Sequence, residues 1–300
     1  MKLCTTKDAI LDLRREDNIF YVAKNIREAL AGQLSEDELK LLRAFDIVGD
    51  IAVVKIPEQL LPKRHAVGRA IIQVHGQVKT VLNQTGPVKG EFRTRGLEVI
   101  AGEPKTTTTY LENGCWIKVD LASAYFSPRL AGERLRIAKM ISPGEVVLNM
   151  FAGVGSYSIV AAKNGAVAKI YSIDKNPDAF RSMVENIRIN RVGDRVIPIL
   201  GDARDIVEES LKGTVDRVIM PLPELGREFL EVAVDALKPR GGTVHFYDVG
   251  QEPDVFGPSA NFARDIATRQ GMKTTLLGQR KIRSYATRCY HIVLDLLFQR

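Results

Sequence analysis

Cysteine and histidine are scarce in this chain, and a long apolar run is missing altogether. The three cysteines, Cys4, Cys115 and Cys289, stand far apart. They form no Cys-x-x-Cys pair and are odd in number, which argues against both a disulfide framework and a zinc site. The four histidines, His65, His75, His245 and His291, are equally scattered and read as core or surface side chains, so no metal is expected. No stretch stays apolar for the length of a membrane span. The first residues, Met1-Lys2-Leu3-Cys4-Thr5-Thr6-Lys7, lack the apolar core of a secretory leader. The expectation is a cytoplasmic protein with no membrane partner. Internal repeats and low-complexity segments are absent too.

Positive charge is abundant. The net charge is +7 and the isoelectric point about 9.3. That balance favours a polyanionic partner, because each Lys or Arg set on a phosphate releases counterions. A merely soluble basic protein would share the number, but the distribution is uneven. Lys63, Arg64, Lys89, Arg93, Arg95, Arg129, Arg134 and Arg136 crowd the first half, and Arg280, Lys281, Arg283 and Arg288 gather near the C-terminus. Three hundred residues, 45% of them hydrophobic, allow one large domain and a smaller one. A monomer is expected.

From residue 145 onward, short apolar runs alternate with helical patterns. Strands are predicted at 145–150, 168–173, 195–200, 215–220 and 242–247, with helices at 156–164, 177–190, 203–211 and 224–238. A helix near 259–270 and strands at 272–280 and 288–298 follow. The link 281–287 is too short for a crossover helix, so these last strands pair antiparallel. Parallel strands closed by an antiparallel hairpin are the plan of a Rossmann-like α/β methyltransferase domain, taken as 119–300. Residues 44–118 read as a small α+β domain. It has two strands around Gly49-Asp50, a helix at 57–75, and strands near 78–83, 97–100, 106–112 and 115–119. Residues 1–43 offer two helical segments, 26–32 and 35–43, as a reduced domain.

The most telling stretch is 146–157, Val-Val-Leu-Asn-Met-Phe-Ala-Gly-Val-Gly-Ser-Tyr. A buried strand runs into a glycine turn, and Asp174 closes the next apolar run, 21 residues after Gly153. An acid at that spacing accepts both hydroxyls of a ribose, while Gly153 and Gly155 let the backbone approach a ligand. A dinucleotide site wants a third glycine facing the pyrophosphate. Ser158 stands there instead, so a nucleoside cofactor without phosphates, S-adenosylmethionine, fits better.

Four strings in order sharpen this: Phe45-Asp46-Ile47-Val48-Gly49-Asp50, Gly90-Glu91-Phe92-Arg93-Thr94-Arg95, Phe126-Ser127-Pro128-Arg129-Leu130-Ala131-Gly132-Glu133-Arg134, and the Phe151–Gly155 loop. Over residues 44–300 the chain resembles the archaeal and eukaryotic tRNA (guanine-37-N1) methyltransferases. The resemblance implies transfer of methyl from S-adenosylmethionine to the guanine 3′ of the anticodon, with the anticodon loop of tRNA as partner. It implies Glu133 as the base for the N1 proton and Arg93 as the cation near O6. Salt-bridging of Glu133 to Arg129 or Arg136, and a plain phosphate contact for Arg93, are the bland alternatives. Around the cofactor it implies Tyr125, Phe151, Gly153, Gly155, Asp174 and Asp202, the last also a helix N-cap by position. Pro221 and Pro223 complete that set. Arg129, Lys89 and Tyr285 are the implied tRNA contacts, though Tyr285 reads equally as an ordinary turn residue.

Two departures stand out. Pro221 replaces the asparagine that ordinarily precedes Leu-Pro after the fourth strand, and it brings neither an amide nor an N–H. Proline there resembles the archaeal branch that also methylates C7 of 4-demethylwyosine. Asn149 replaces the usual acid at the end of the first strand, so the cofactor's amino-acid end is expected to be held differently. An aminocarboxypropyl transferase of the wybutosine pathway and a non-catalytic tRNA-binding protein remain alternatives at this point.

Overall fold

The computed structural model describes residues 23, 25–86, 90, 92 and 94–300. Two short helices come first, α1 (Ile26–Ala29) and α2 (Glu36–Lys40). Asn25 caps α1, and Ser35 with Glu38 forms a reciprocal capping box on α2. Strands β1 (Asp46–Val48) and β2 (Ile51–Val54) follow. The predicted helix at 57–75 is a tight 3₁₀ stretch, Glu58–Lys63, followed by α3 (Arg64–Val74), and Pro62 falls inside the tight part. Strands β3 (Thr80–Gln84) and β4 (Leu97–Gly102) complete a four-stranded sheet of order β1-β2-β3-β4.

Leu30, Leu34 and Leu39 are buried in one core with Ala52, Val67, Ile71 and Ile100. The first helices therefore belong to this sheet rather than to a separate segment. The hairpin β5 (Thr107–Glu112) and β6 (Cys115–Asp120) is a sheet of its own. Its Cys115, Ile117 and Val119 are buried with Ile159, Met183 and Ile187 of the following elements and with Val48, Ile51 and Leu82 of the first sheet.

The second unit continues with α4 (Ala131–Met140), β7 (Val146–Asn149), α5 (Ser156–Asn164), β8 (Lys169–Asp174), α6 (Pro177–Asn190), β9 (Val196–Leu200) and α7 (Ala203–Ile206). The helix predicted at 203–211 changes after α7 to a wider turn, Val207–Leu211. Then come β10 (Arg217–Met220), α8 (Gly226–Ala236), β11 (Gly241–Gln251), α9 (Gly257–Arg269), β12 (Lys273–Ala286) and β13 (Cys289–Gln299). The sheet runs β12-β13-β11-β10-β7-β8-β9. Strands β7 to β11 are parallel, and β13 lies antiparallel between β11 and β12. The expected α/β plan, parallel strands closed by a hairpin, is therefore present, with the hairpin's second strand inserted next to β11.

Two seams hold the pieces together. Gly49 is left-handed (φ +58°), and a Cβ there would come within 2.2 Å of Thr108 Oγ1, so the β1–β2 turn presses on the hairpin. Next to it, Thr108 Oγ1 and Lys105 Nζ both donate to Asp50. On the hairpin's other edge, Asn186 and Asn190 lie one turn apart on α6. Asn186 accepts the N–H of Lys118 (2.7 Å) and donates to its carbonyl (2.8 Å), and Asn190 does the same with Trp116. These amides take the place of a pairing strand along the open edge of β6.

Candidate functional site

In an open parallel sheet, the crevice where strand order reverses lies beyond the carboxyl ends of the strands. Here the reversal is between β7 and β10, and a cavity of about 380 Å³ opens there. Its wall takes Phe151–Val154 after β7, Asp174 at the end of β8, Gly201 and Asp202 after β9, and Pro221–Pro223 after β10. Tyr125 and Tyr247 also reach it. The topology thus gathers Tyr125, Phe151, Gly153, Asp174, Asp202, Pro221 and Pro223 around one space.

Asp174 is largely buried, and its two oxygens accept separate backbone N–H groups, Gly153 (2.5 Å) and Asn176 (2.9 Å). Burial raises its pKa, and the two N–H bonds oppose the rise. Each oxygen keeps a further lone pair for a ligand. Gly153 is left-handed at φ +55°, and a Cβ there would meet only the Tyr125 carbonyl, at 3.9 Å. The space above it is open to a ligand.

Gly155 behaves differently. It also has positive φ, +84°, but a Cβ would press on Met183 at 2.9 Å, and the residue is not on the cavity wall. Its missing side chain serves helix packing rather than ligand approach. Asp202 caps α7 by accepting the Arg204 N–H (2.9 Å), while Lys175 Nζ lies 3.4 Å from its other oxygen. The N-cap expectation for Asp202 and its place on the wall hold together. Phe151 packs edge-on against Phe229 at 4.9 Å, and the Arg95 guanidinium sits 5.3 Å from the Tyr125 ring centre.

Glu133 is buried behind the wall rather than on it. Arg136, one turn on, grips both its oxygens (2.7 and 2.8 Å), and Tyr247 donates its hydroxyl to Oε1 at 2.6 Å. Arg136 is the alternative salt-bridge partner that the geometry realises. Arg129 instead points across to Asp46 of β1, at 2.6 Å. Arg136 also holds Asp295, which accepts a bond from His245 Nδ1 at 2.6 Å. His245 Nε2 faces Arg217 at 2.8 Å, and Arg217 continues to Glu145. A guanidinium only donates, so His245 Nε2 accepts and its proton sits on Nδ1, as in a neutral imidazole. Burial lowers the His245 pKa accordingly, despite Asp295. Burial alone would raise Asp295, but its bonds from His245 and Arg136 pull it down to about 2.

Asn149 donates to Ser158 (3.0 Å) and does not reach the wall. Tyr285 is 54% exposed and stacks on His291, with ring centres 4.7 Å apart. Its neighbours Ile282, Arg283 and His291 line the cavity, and Tyr285 does not. Lys89 and Arg93 lie outside the described residues.

Sequence reasoning missed several groups. Tyr247 and His291 are wall residues that no motif marks. Arg134, given no role of its own by the sequence, is 2% exposed, bonded to Glu112 (2.6 Å to Oε2) and set 5.1 Å from the Phe126 ring centre. Its place in a buried face of α4, next to Glu133 in the third string, was the available signal.

The sheet order, the inserted antiparallel strand and the cavity at the switch point are those of a Rossmann-like, S-adenosylmethionine-dependent methyltransferase. Residues 108–274 match the TRM5/TYW2 methyltransferase domain, and residues 26–106 match the TYW2 N-terminal domain. The chain belongs to the TRM5/TYW2 methyltransferase family, which depends on S-adenosylmethionine.

It is 45% identical to the tRNA (guanine(37)-N(1))-methyltransferase Trm5b of Pyrococcus abyssi, over 84% of this chain and 74% of that one. It is 34% identical to the tRNA(Phe) (4-demethylwyosine(37)-C(7)) aminocarboxypropyltransferase of Pyrococcus horikoshii, over 92% and 96%. The tRNA 4-demethylwyosine(37)-methyltransferase Taw21 of Saccharolobus solfataricus is 30% identical, over 87% and 96%. Among solved structures, wild-type Trm5b from Pyrococcus abyssi superposes with a TM-score of 0.81 (43% identity; 89% of this chain, 79% of that one). A complex of aTrm5 with tRNALeu gives 0.80 (36%; 91% and 78%). Methanocaldococcus jannaschii TYW2 in complex with AdoMet gives 0.67 (29%; 86% and 100%).

Proposed function

We propose that this enzyme methylates N1 of guanine 37 in tRNA. The observation that carries the reading is Glu133, a buried carboxylate hydrogen-bonded to a residue of the cavity wall. It stands in the Ser-Pro-Arg string of a chain 45% identical to a tRNA (guanine(37)-N(1))-methyltransferase.

The cavity residues fit the cofactor. The diol of S-adenosylmethionine would lie on Asp174, its adenine among Phe151, Asp202 and Pro223, and its backbone-facing side over Gly153. When bound, the cofactor supplies an electrophilic sulfonium methyl. The chain's own work is on the purine. N1 carries a proton and attacks poorly until the proton is removed, and negative charge then gathers at O6. Glu133 serves as the sink for that proton and Arg93 as the donor toward O6. The basic residues Arg129, Lys89 and those of β12, with Tyr285, would meet the tRNA around the anticodon loop. N1 lies on the pairing edge, so the target base must leave its stack to enter the cavity.

A second activity, methylation of C7 of 4-demethylwyosine, is favoured by Pro221, which lines the cavity where an asparagine would otherwise narrow it. The relative Taw21 is named for such a substrate. Nucleoside analysis of tRNA incubated with enzyme and labelled donor tests both. The expected product is 1-methylguanosine from tRNA bearing guanosine 37, and a methylated tricycle from tRNA bearing 4-demethylwyosine. A product heavier by an aminocarboxypropyl group would assign the alternative transfer, and binding without product would leave a tRNA-binding protein.

A further inference from the structure

The base assigned to the reaction is not where a substrate can touch it. Glu133 does not line the cavity, and both its oxygens are occupied, Oε1 by Tyr247 and Arg136 and Oε2 by Arg136. Tyr247 is the group between the carboxylate and the space: it is on the wall and donates to Oε1 at 2.6 Å. Its position is over-determined. It sits in β11, flanked by β10 and β13, and the Tyr157 hydroxyl donates to its oxygen from 3.4 Å. A phenol oxygen that donates once and accepts once retains a lone pair for a second donor.

Resting on the reading of this enzyme as a guanine-N1 methyltransferase, we propose that Tyr247 relays the proton from guanine N1 to Glu133. The N1 proton moves to Tyr247 Oη as the proton of Tyr247 moves to Glu133 Oε1. The electron pair left on N1 forms the new N–C bond, and the C–S pair of the sulfonium departs on sulfur. Tyr247 ends as it began, Glu133 ends as a carboxylic acid, and the positive charge of the donor is extinguished. The tyrosine acts as a wire and not as a base. Burial, with Tyr157 and the Glu133 carboxylate beside it, holds its own pKa well above the ordinary value, so it stays protonated between turnovers. Arg136, clamped on its far side by Asp295, keeps the Glu133 oxygens from turning toward the cavity.

The test is single-turnover methyl transfer to tRNA bearing guanosine 37, run in mixtures of light and heavy water. It is paired with calorimetric affinities for S-adenosylhomocysteine and for tRNA. For the wild type, a rate that depends on deuterium fraction with the curvature of two moving protons is expected. Tyr247→Phe should slow the step by ~10²–10⁴-fold, the range of a lost proton-transfer partner, with both affinities within about twofold. A Tyr247→Phe enzyme that turns over at the wild-type rate overturns the relay. A linear, one-proton dependence in the wild type also overturns it, and that measurement stands even where the variant fails to fold. Absence of 1-methylguanosine from the wild type overturns the functional reading and the relay together, whereas normal product from an unimpaired Tyr247→Phe overturns the relay alone.

Discussion

In the proposed reading, individual side chains divide between cofactor and chemistry. Asp174 faces the cavity with two backbone N–H groups behind it, and Glu133 faces Tyr247 with a guanidinium behind it. Glu133→Gln keeps the shape but removes the proton sink. Methyl transfer should fall by ~10²–10⁴-fold, while calorimetry with S-adenosylhomocysteine gives a wild-type affinity. Equal loss of both would make the residue structural. Asp174→Ala should do the reverse, weakening the cofactor by at least about tenfold, the worth of one hydrogen bond to a charged group, with tRNA affinity unchanged. An unaltered cofactor titration would remove the ribose assignment. The sequence pointed to these two acids for different reasons. Asp174 follows from strand, turn and spacing, which any reader of β-α-β units can apply. Glu133 came only with a family string, because a glutamate at i−3 from an arginine on a helix looks the same whether it pairs or catalyses. Tyr247 had no local signal at all: it reads as one more apolar position of a buried strand, and only the sheet's register brings it to Glu133.

At the level of elements, hydrophobic period located the strands of the parallel domain and the helices between them, since a sheet covered on both faces leaves little choice, but it cut β11 and β12 short, which run on to Gln251 and Ala286. Where the hairpin packs was not legible in the sequence, because a β-hairpin's alternating pattern does not say which core its buried face joins. What decides it lies across the chain, in the amides of α6. Asn186 and Asn190 sit at i and i+4 on a face that otherwise reads as Met183 and Ile187. Asparagine so placed in an amphipathic helix is the legible trace of an edge to be satisfied. Truncating either to alanine leaves an N–H and a carbonyl of β6 without partners in a largely buried seam. Each buried group left unpaired costs about 1–3 kcal/mol. Chemical denaturation should therefore show Asn190→Ala or Asn186→Ala destabilised by roughly 2 kcal/mol or more on that basis, with Asn164→Ala, whose amide meets an exposed carbonyl, much milder. Equal midpoints for Asn186→Ala and wild type would mean that the edge does not depend on these amides.

For the molecule as a whole, the buried chain from Glu133 through Arg136, Asp295, His245 and Arg217 to Glu145 ties α4 to the middle of the large sheet. It makes global stability depend on pH in a predictable direction. His245 is completely buried and its pKa lies below the ordinary 6.5. In the unfolded chain it takes a proton as the pH falls through that value, and in the folded chain it does not. The unfolded state thus binds more protons in the window just below pH 6.5, and stability falls as the pH falls. Asp295 contributes in the same sense but far lower, between the ordinary 3.8 and about 2, so it is silent where histidine titrates. Its charged neighbour Arg136 is held cationic by Glu133 and Asp295. Replacing His245 by Asn removes the titration, leaving Arg217 and Asp295 each short of one bond. The variant should be less stable at pH 7.5, yet lose stability more gently on acidification. The difference in slope between pH 6.5 and 5.5 approaches one proton, about 1.4 kcal/mol per pH unit at most. Unfolding free energies of wild type and His245→Asn, measured by denaturant titration at half-unit steps across that window, check it. Parallel curves would mean that His245 is protonated in the folded protein as readily as in the unfolded chain, and the neutral imidazole assigned to it would be wrong.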